Sequence, residues 1–139
     1  MSLYVFDADI LTLFQRGHAA VVQRSRMCSP AELSITVLTV EEQLSGWYTR
    51  LRKAKDPAAL ARAYQELATS VKVLAHLKIL SFTESAIARY DQLRTLKLKV
   101  RKMDLRIAAV VLENGGTLVT RNLRDFQQIP NLPLENWAA

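Results

Sequence analysis

The strongest constraint on this chain is that short apolar segments alternate with longer amphipathic ones along its whole length. Apolar runs typical of buried strands lie at residues 3–6, 33–37, 78–82 and 117–120. Apolar residues at helical spacing fill most of the sequence between these runs. This alternation predicts an α/β layer fold with a mostly parallel sheet, and 139 residues is the ordinary size of one domain, residues 1–139.

The middle of the chain predicts two consecutive long helices. Val40, Leu44, Trp47 and Leu51 form one apolar stripe at helical spacing. A charged segment then precedes Pro57, where a helix–helix turn is expected, and residues 58–77 form the second helix. We therefore expect a helical hairpin that projects from the sheet.

Local signals at helix starts predict where several helices begin. Asp9 is placed to cap a helix after the first strand, and Thr39 with Glu42 has the form of a capping box. Within a helix expected at 83–96, Ile87 is predicted to face inward. The segment Leu-Glu-Asn-Trp near the end of the chain predicts a short edge strand.

The charge balance favours a polyanionic partner. The chain has 19 Lys and Arg against 13 Asp and Glu, a formal charge of +6. Nucleic acid is the commonest polyanion for a basic domain, although a solvated basic surface without a partner stays an alternative. The single cysteine excludes an internal disulfide and a cysteine-based metal cluster. Without a basic leader or a membrane-length apolar run, a cytoplasmic location with no membrane association is expected.

Acidic residues fall where the predicted strands end or the next helices begin. These positions are Asp7, Glu42, Asp104 and Asp125. Parallel strands bring such positions together, and clustered carboxylates raise one another's pKa unless a cation lies between them. Oxygen ligands suit Mg²⁺ or Mn²⁺, and the chemistry expected of such a site is hydrolysis of a phosphodiester by metal-activated water.

Each acid also has a structural explanation. Asp7 could cap the following helix, Asp104 could stabilise a helix start, and Asp125 could be an ordinary turn residue. Asp104 nevertheless lies in line with the buried stripe of its helix, which solvation does not explain. Periodicity does not decide between Glu41 and Glu42 as the acid of the second position.

Several segments together resemble PIN-domain ribonucleases of the VapC toxin type. They are a strand ending in Asp7, then Thr-Val-Glu-Glu-Gln-Leu-Ser-Gly at 39–46, Asp-Leu-Arg-Ile-Ala-Ala at 104–109, Thr-Arg-Asn-Leu-Arg-Asp-Phe at 120–126, and Leu-Glu-Asn-Trp at 134–137. The segments occur in the family's order over nearly the whole chain, and the one at 120–126 is the most specific.

The resemblance implies a three-layer α/β/α sandwich and a catalytic metal site. Asp7, Glu42 and Asp104 match the metal-binding acids, and Asp125 matches the fourth acid of the pocket. The spacing from Thr39 to Gly46 selects Glu42 rather than Glu41. The resemblance also implies Mg²⁺ or Mn²⁺ as cofactor, RNA as substrate, a homodimer and an inhibitory antitoxin protein.

Polar and basic residues complete the expected substrate pocket. Thr120 and Asn122 match polar positions that line it in the family. Arg121 and Arg124 flank these positions, and basic groups around an acidic pocket are suited to drawing in RNA phosphates. Ordinary surface cations are the alternative explanation of the two arginines.

The chain departs from the family pattern at two places that bear on the metal. Ala8 and Asp9 follow the first acid where Thr and then Asn or Ser are usual, and Asp9 is a possible additional ligand. The connector at 97–102 is basic and lacks the glycine that often precedes the third acid. Neither departure removes a carboxylate.

Two other functions are compatible with parts of the sequence. Phe-Asp-Ala-Asp at 6–9 resembles the opening motif of haloacid-dehalogenase phosphatases, but the late acidic pair of that family is missing. The second alternative is a catalytically inactive PIN-like module that binds RNA or protein. The complete acidic set favours the nuclease over this module.

Overall fold

The structure, a computed structural model, describes residues 2–139. Its strands are β1 (Tyr4–Phe6), β2 (Leu33–Thr36), β3 (Lys78–Leu80), β4 (Thr117–Val119) and β5 (Leu134–Glu135). Its α-helices are α1 (Ala8–Gln15), α2 (Ala19–Arg26), α3 (Val37–Lys53), α4 (Pro57–Ala75), α5 (Glu84–Arg94), α6 (Lys102–Glu113) and α7 (Leu123–Phe126), and a 3₁₀ turn covers Pro30–Glu32.

The five strands form one sheet in the order β3-β2-β1-β4-β5. Every pairing is parallel, for example Val5 opposite Leu118 and Ile35 opposite Ile79. Parallel neighbours need crossover connections, and the helices between the strands supply them. The predicted parallel α/β fold is confirmed, and β5 is the expected short edge strand.

Helices cover both faces of the sheet, as the three-layer expectation requires. On one face, α5 and α6 bury side chains such as Tyr90 and Ile107 against the sheet. On the other face, α1, α2 and the end of α4 bury Ile10, Val21 and Leu74. Full burial of such side chains contributes roughly 1.5–3 kcal/mol each, so the two apolar layers hold the sheet between them.

The helices α3 and α4 pack against each other and form the predicted hairpin. Proline occupies the first turn of α4, where its missing N–H costs no hydrogen bond, and Asp56 caps that turn. Arg50 on α3 pairs with Glu66 on α4 at 3.0 Å. The apolar stripe of α3 is only half-buried, because the hairpin extends beyond the sheet.

Three local expectations are wrong. The cap of α3 is Thr36, whose hydroxyl accepts the Thr39 N–H, so no capping box holds Glu42. The cap of α1 is Asp7 rather than Asp9. Ile87 lies on the outer side of α5 with 40% exposure, because the neighbouring Ala86 takes the inward position.

No helix within residues 2–139 is long and apolar enough to cross a membrane.

Candidate active site

Three of the predicted acids lie at one edge of the sheet because of the strand order. β1 is central, and the chain crosses to β2 on one side of it and to β4 on the other. Asp7 directly follows β1, and α3, which carries Glu42, directly follows β2. Helix α6 leads back to the start of β4, so its first turn with Asp104 lies at the same carboxyl edge.

Asp7 is buried and held by two hydrogen bonds. One oxygen of its carboxylate accepts the Ile10 N–H at 2.8 Å, and the other accepts the Thr120 hydroxyl at 2.6 Å. Burial raises the pKa of the Asp7 carboxyl above its usual range, and the charges of Asp9 and Asp104 raise it further. The two hydrogen bonds act in the opposite direction, since they favour the charged form.

Thr120 links Asp7 to the segment that follows β4. Its side chain is fully buried, and its oxygen also accepts the Asn122 N–H at 2.9 Å. The Thr120 hydroxyl therefore donates its proton to Asp7, while its oxygen holds the backbone of the turn at Asn122. Thr120 and Asn122 thus lie beside the first acid, where the resemblance places pocket residues.

Glu42 is half-buried, with its carboxylate in the field of the other acids. Burial is the main cause that raises the pKa of Glu42, and the charges of Asp104 and Asp7 add to it. Arg101 acts against this shift by stabilising the charged form. Glu41 lines a separate groove on α3 with Leu44, whereas Glu42 borders a cavity between α1, α3 and α4.

Asp104 is buried in the first turn of α6 and is paired with Arg101. The guanidinium Nε lies 3.2 Å from one carboxylate oxygen, and a terminal nitrogen lies 3.2 Å from the other. The pKa of Arg101 is raised by Asp104 first, and by the charges of Glu42 and Asp125. One guanidinium therefore compensates several acids of the site.

Asp125 lies at the rim of the site in α7. Its carboxylate accepts the Asn122 side-chain N–H at 3.0 Å, and its own N–H is directed at the Asn122 side-chain oxygen at 3.4 Å. Its charge acts on Arg101, which places it on the Asp104 side of the pocket. The structure thus brings all four predicted acids to one region.

Asp9 lies next to this group, close enough for its charge to act on Asp7, and it is in an exposed pair with Arg121. The two donor–acceptor distances are 2.6 and 2.8 Å, so both Asp9 oxygens are in use. Arg121 lowers the pKa of the Asp9 carboxyl, mainly through these hydrogen bonds. Arg124 is exposed on α7 at the same side of the molecule as Asp125.

The donor chemistry of the site fits a hard divalent cation, but the side chains do not enclose one as they stand. Within residues 2–139, no three His, Cys, Asp or Glu side chains are arranged as a ready metal-binding group. Asp104 contacts Arg101 and Asp7 contacts Thr120. Asp7 and Glu42, whose pKa values are raised by burial and by neighbouring charges, are nevertheless carboxylates that a cation stabilises.

Sequence reasoning missed two features of the site. Arg101 was placed only among basic residues of the connector, although its position three residues before Asp104 allows an ion pair across one helical turn. Thr36 and Thr39 are fully buried at the end of β2, with their hydroxyl oxygens 3.4 Å apart. Thr36, which ends β2, was the signal in the sequence for the point where α3 begins.

The geometry defines an α/β protein with a group of acidic side chains at the carboxyl edge of its parallel sheet. No protein-family model matches the chain. Ribonuclease VapC2 of Rickettsia felis is 41% identical over 68 residues, covering 46% of this chain and 51% of the relative. The chain therefore spans about half the length of the curated relative it matches.

Solved structures match over almost the whole chain. VapBC2 from Rickettsia felis, bound to a DNA fragment from its promoter, matches with a TM-score of 0.78 and 26% identity, covering 97% of this chain and 98% of the other. DNA-bound VapBC from Salmonella typhimurium matches with a TM-score of 0.81 and 22% identity over 99% of both chains. These likenesses confirm the predicted resemblance to PIN-domain proteins of the VapC type.

Proposed function

We propose that this chain is a metal-dependent endoribonuclease and the toxin component of a toxin–antitoxin pair. The observation that carries the proposal is the convergence of Asp7, Glu42 and Asp104 from three separate elements at one sheet edge. A purely structural cluster of this kind would be unfavourable, since burial and mutual repulsion both oppose its charges. The similarity to Ribonuclease VapC2 supports RNA as the substrate class.

Asp7, Glu42 and Asp104 would hold the cation, with Asp125 as the fourth acid of the pocket. A bound Mg²⁺ or Mn²⁺ supplies an activated water and neutralises charge on the scissile phosphate. Thr120 holds Asp7 in one orientation through its 2.6 Å hydrogen bond. Burial and the charges of Asp104 and Asp7 raise the pKa of Glu42, so a bound cation would stabilise its charged form.

Polar and basic groups around the pocket would bind the RNA strand. Asn122 and Arg124 lie on α7 beside Asp125, and Arg121 is exposed next to Asp9. Arginine suits phosphate because its guanidinium donates two parallel hydrogen bonds. The net charge of +6 also attracts a polyanionic substrate to the protein as a whole.

The partners proposed for this chain are a cognate antitoxin and a second copy of itself. The structural relatives are described as VapBC toxin–antitoxin complexes, which supports an antitoxin partner. Val37 and Tyr48 are large exposed apolar residues along one groove of α3, which supports a homodimer. The location proposed for it is the cytoplasm. Light scattering of the purified chain measures the oligomeric state directly.

Expression of the chain without a partner tests the toxin assignment. The wild type should arrest growth, and Asp7→Ala should relieve the arrest because a central ligand is lost. Residual toxicity in Asp7→Ala that disappears in the double variant with Asp9→Ala would mean that Asp9 has been recruited as a ligand. A soluble, abundant and harmless wild type in a host without antitoxin would contradict the toxin function.

Cleavage of RNA by the purified chain tests the enzyme itself. RNA should be cut with Mg²⁺ or Mn²⁺ present, and a chelator or Asp7→Ala should abolish cutting. RNA binding without any cleavage in the presence of metal would favour the inactive PIN-like module instead. Trapping of a phosphorylated aspartate would favour the phosphatase alternative.

A further inference from the structure

Arg101 covers both carboxylate oxygens of Asp104. Its Nε and one terminal nitrogen each lie 3.2 Å from a different oxygen, which is a two-point contact. A carboxylate engaged in this way has the edge that carries both oxygens directed at the guanidinium. The Arg101 side chain therefore lies where a metal ion would have to approach Asp104, which is a proposed metal ligand.

The guanidinium also acts on the other acids of the pocket. The charges of Glu42 and Asp125 stabilise the protonated form of Arg101, in addition to Asp104. In return, Arg101 opposes the rise in the pKa of Glu42. The cationic head of Arg101 thus lies where the field of three acids converges, which is the position that a divalent cation favours.

The two partners differ greatly in burial. The Asp104 side chain is 10% exposed, whereas the Arg101 side chain is 72% exposed. Asp104 is fixed by the packing of α6, while Arg101 precedes the helix and makes no side-chain capping bond. The guanidinium can therefore leave the carboxylate by rotating into solvent, without disturbing the core.

We propose that Arg101 is an internal counter-cation of the carboxylate pocket, which competes with the divalent metal and must leave Asp104 before the metal binds. The proposal rests on the proposed function, because it concerns the same pocket. The observation that carries it is the two-point contact of an exposed guanidinium with the buried carboxylate of Asp104. In this role Arg101 lowers metal affinity and stabilises the metal-free protein.

Metal binding by Arg101 variants tests the proposal without any activity measurement. Arg101→Gln keeps most of the side-chain stem but removes the charge, and Arg101→Ala removes both. Titration calorimetry with Mn²⁺ should give a dissociation constant about two- to tenfold smaller for each variant than for the wild type, the range that a partly exposed ion pair can supply. In the presence of a chelator, neither variant should have a higher melting temperature than the wild type.

Lys102→Ala is the matched control, because it removes the same charge one residue further along the exposed start of α6. Equal tightening in Lys102→Ala and Arg101→Gln would mean that general electrostatics is responsible, and it would overturn the proposal. Unchanged Mn²⁺ binding in both Arg101 variants would also overturn it while leaving the proposed function intact. Absence of binding in wild type and variants alike would refute the proposed metal site and the competition together.

The side-chain nitrogen signal of Arg101 gives a direct second measurement. In metal-free protein its Nε–H should be protected from exchange with water by the contact to Asp104. Addition of Mg²⁺, which is diamagnetic, should remove this protection as the guanidinium moves into solvent. A signal that stays protected at saturating Mg²⁺ would show that Arg101 does not move, and it would contradict the competition.

Discussion

Replacement of Asp7 by Asn should stabilise the metal-free protein while it destroys the metal site. Burial disfavours the ionised form of the Asp7 carboxylate, and the charges of Asp9 and Asp104 repel it. An asparagine has the same shape and can still accept the Ile10 N–H, so the helix cap is kept. The amide can donate to the Thr120 oxygen in place of the present 2.6 Å bond.

The expected gain follows from the direction of the pKa shift. Because burial raises the pKa of Asp7 in the folded state, ionisation costs stability at any pH above that raised value. Single substitutions that relieve an unfavourable charge commonly contribute about 0.5–2 kcal/mol, and a gain in that range is expected at neutral pH. For a domain of this size it corresponds to a rise in melting temperature of a few degrees.

The difference in stability between Asp7→Asn and the wild type should depend on pH. Below the unfolded-state value of 3.8, Asp7 is protonated in both states and the two proteins should be equally stable. The advantage of Asp7→Asn should appear as the pH rises through the raised folded-state pKa and should then stay constant. Thermal or urea unfolding in chelator at a series of pH values measures this difference.

Asp56→Asn is the matched control for this experiment. Asp56 caps α4 through the same kind of bond, an oxygen that accepts the Ala59 N–H at 2.8 Å, but it is exposed. Its substitution should change stability by less than about 0.5 kcal/mol. A destabilised Asp7→Asn, or a gain that does not vary with pH, would refute the argument that burial and repulsion disfavour this carboxylate.

Two further predictions concern neighbouring acids. Glu42→Gln should abolish RNA cleavage and Glu41→Gln should keep most of it, because Glu42 is half-buried with the charges of Asp7 and Asp104 acting on it, whereas Glu41 is exposed in a separate groove. A cleavage assay with the reverse result would mean that the family alignment is one residue out. A double-mutant cycle on Asp9 and Arg121 should give a small coupling free energy that falls with added salt, as for exposed ion pairs. A large coupling that is insensitive to salt would contradict the exposure seen for this pair.

The fold was largely predictable from the sequence because short apolar runs, typical of buried strands, alternate consistently with apolar residues at helical spacing. Strands and helices alternate, and this alternation together with the need for crossover helices leaves few arrangements other than a parallel sheet. The α3–α4 hairpin follows directly from apolar spacing and from Pro57. These features depend on many residues at once, so single misjudged positions do not change them.

Helix caps were less predictable because neighbouring residues compete for the same role. Thr36 and Thr39 can both cap α3, and Glu42 three residues after Thr39 favoured the wrong one. The structure selects Thr36 because β2 pairs with β3 up to that residue, opposite Leu80, and the helix begins at once. Pairing between distant strands is not visible in a local motif.

The acids of the site could be predicted, but their present partners could not. Strand ends and helix starts indicate Asp7 and Asp104 as neighbours in space. The pairing of Asp104 with Arg101 and of Asp9 with Arg121 depends on side-chain directions at the sheet edge. Arg121 was considered as an RNA-binding group or an ordinary surface cation, and Arg101 only as part of the basic connector, because the sequence does not show which acid a nearby arginine contacts.

Anomalous diffraction from crystals soaked in Mn²⁺ tests the central claim most directly. The scattering peak should lie between the carboxylates of Asp7, Glu42 and Asp104, with the Arg101 side chain turned away from Asp104. Crystals of Asp104→Asn soaked in the same way should show a weaker peak or none. A Mn²⁺ peak at Asp9 alone, or no peak at the carboxyl edge of the sheet at millimolar Mn²⁺, would contradict the proposed metal centre.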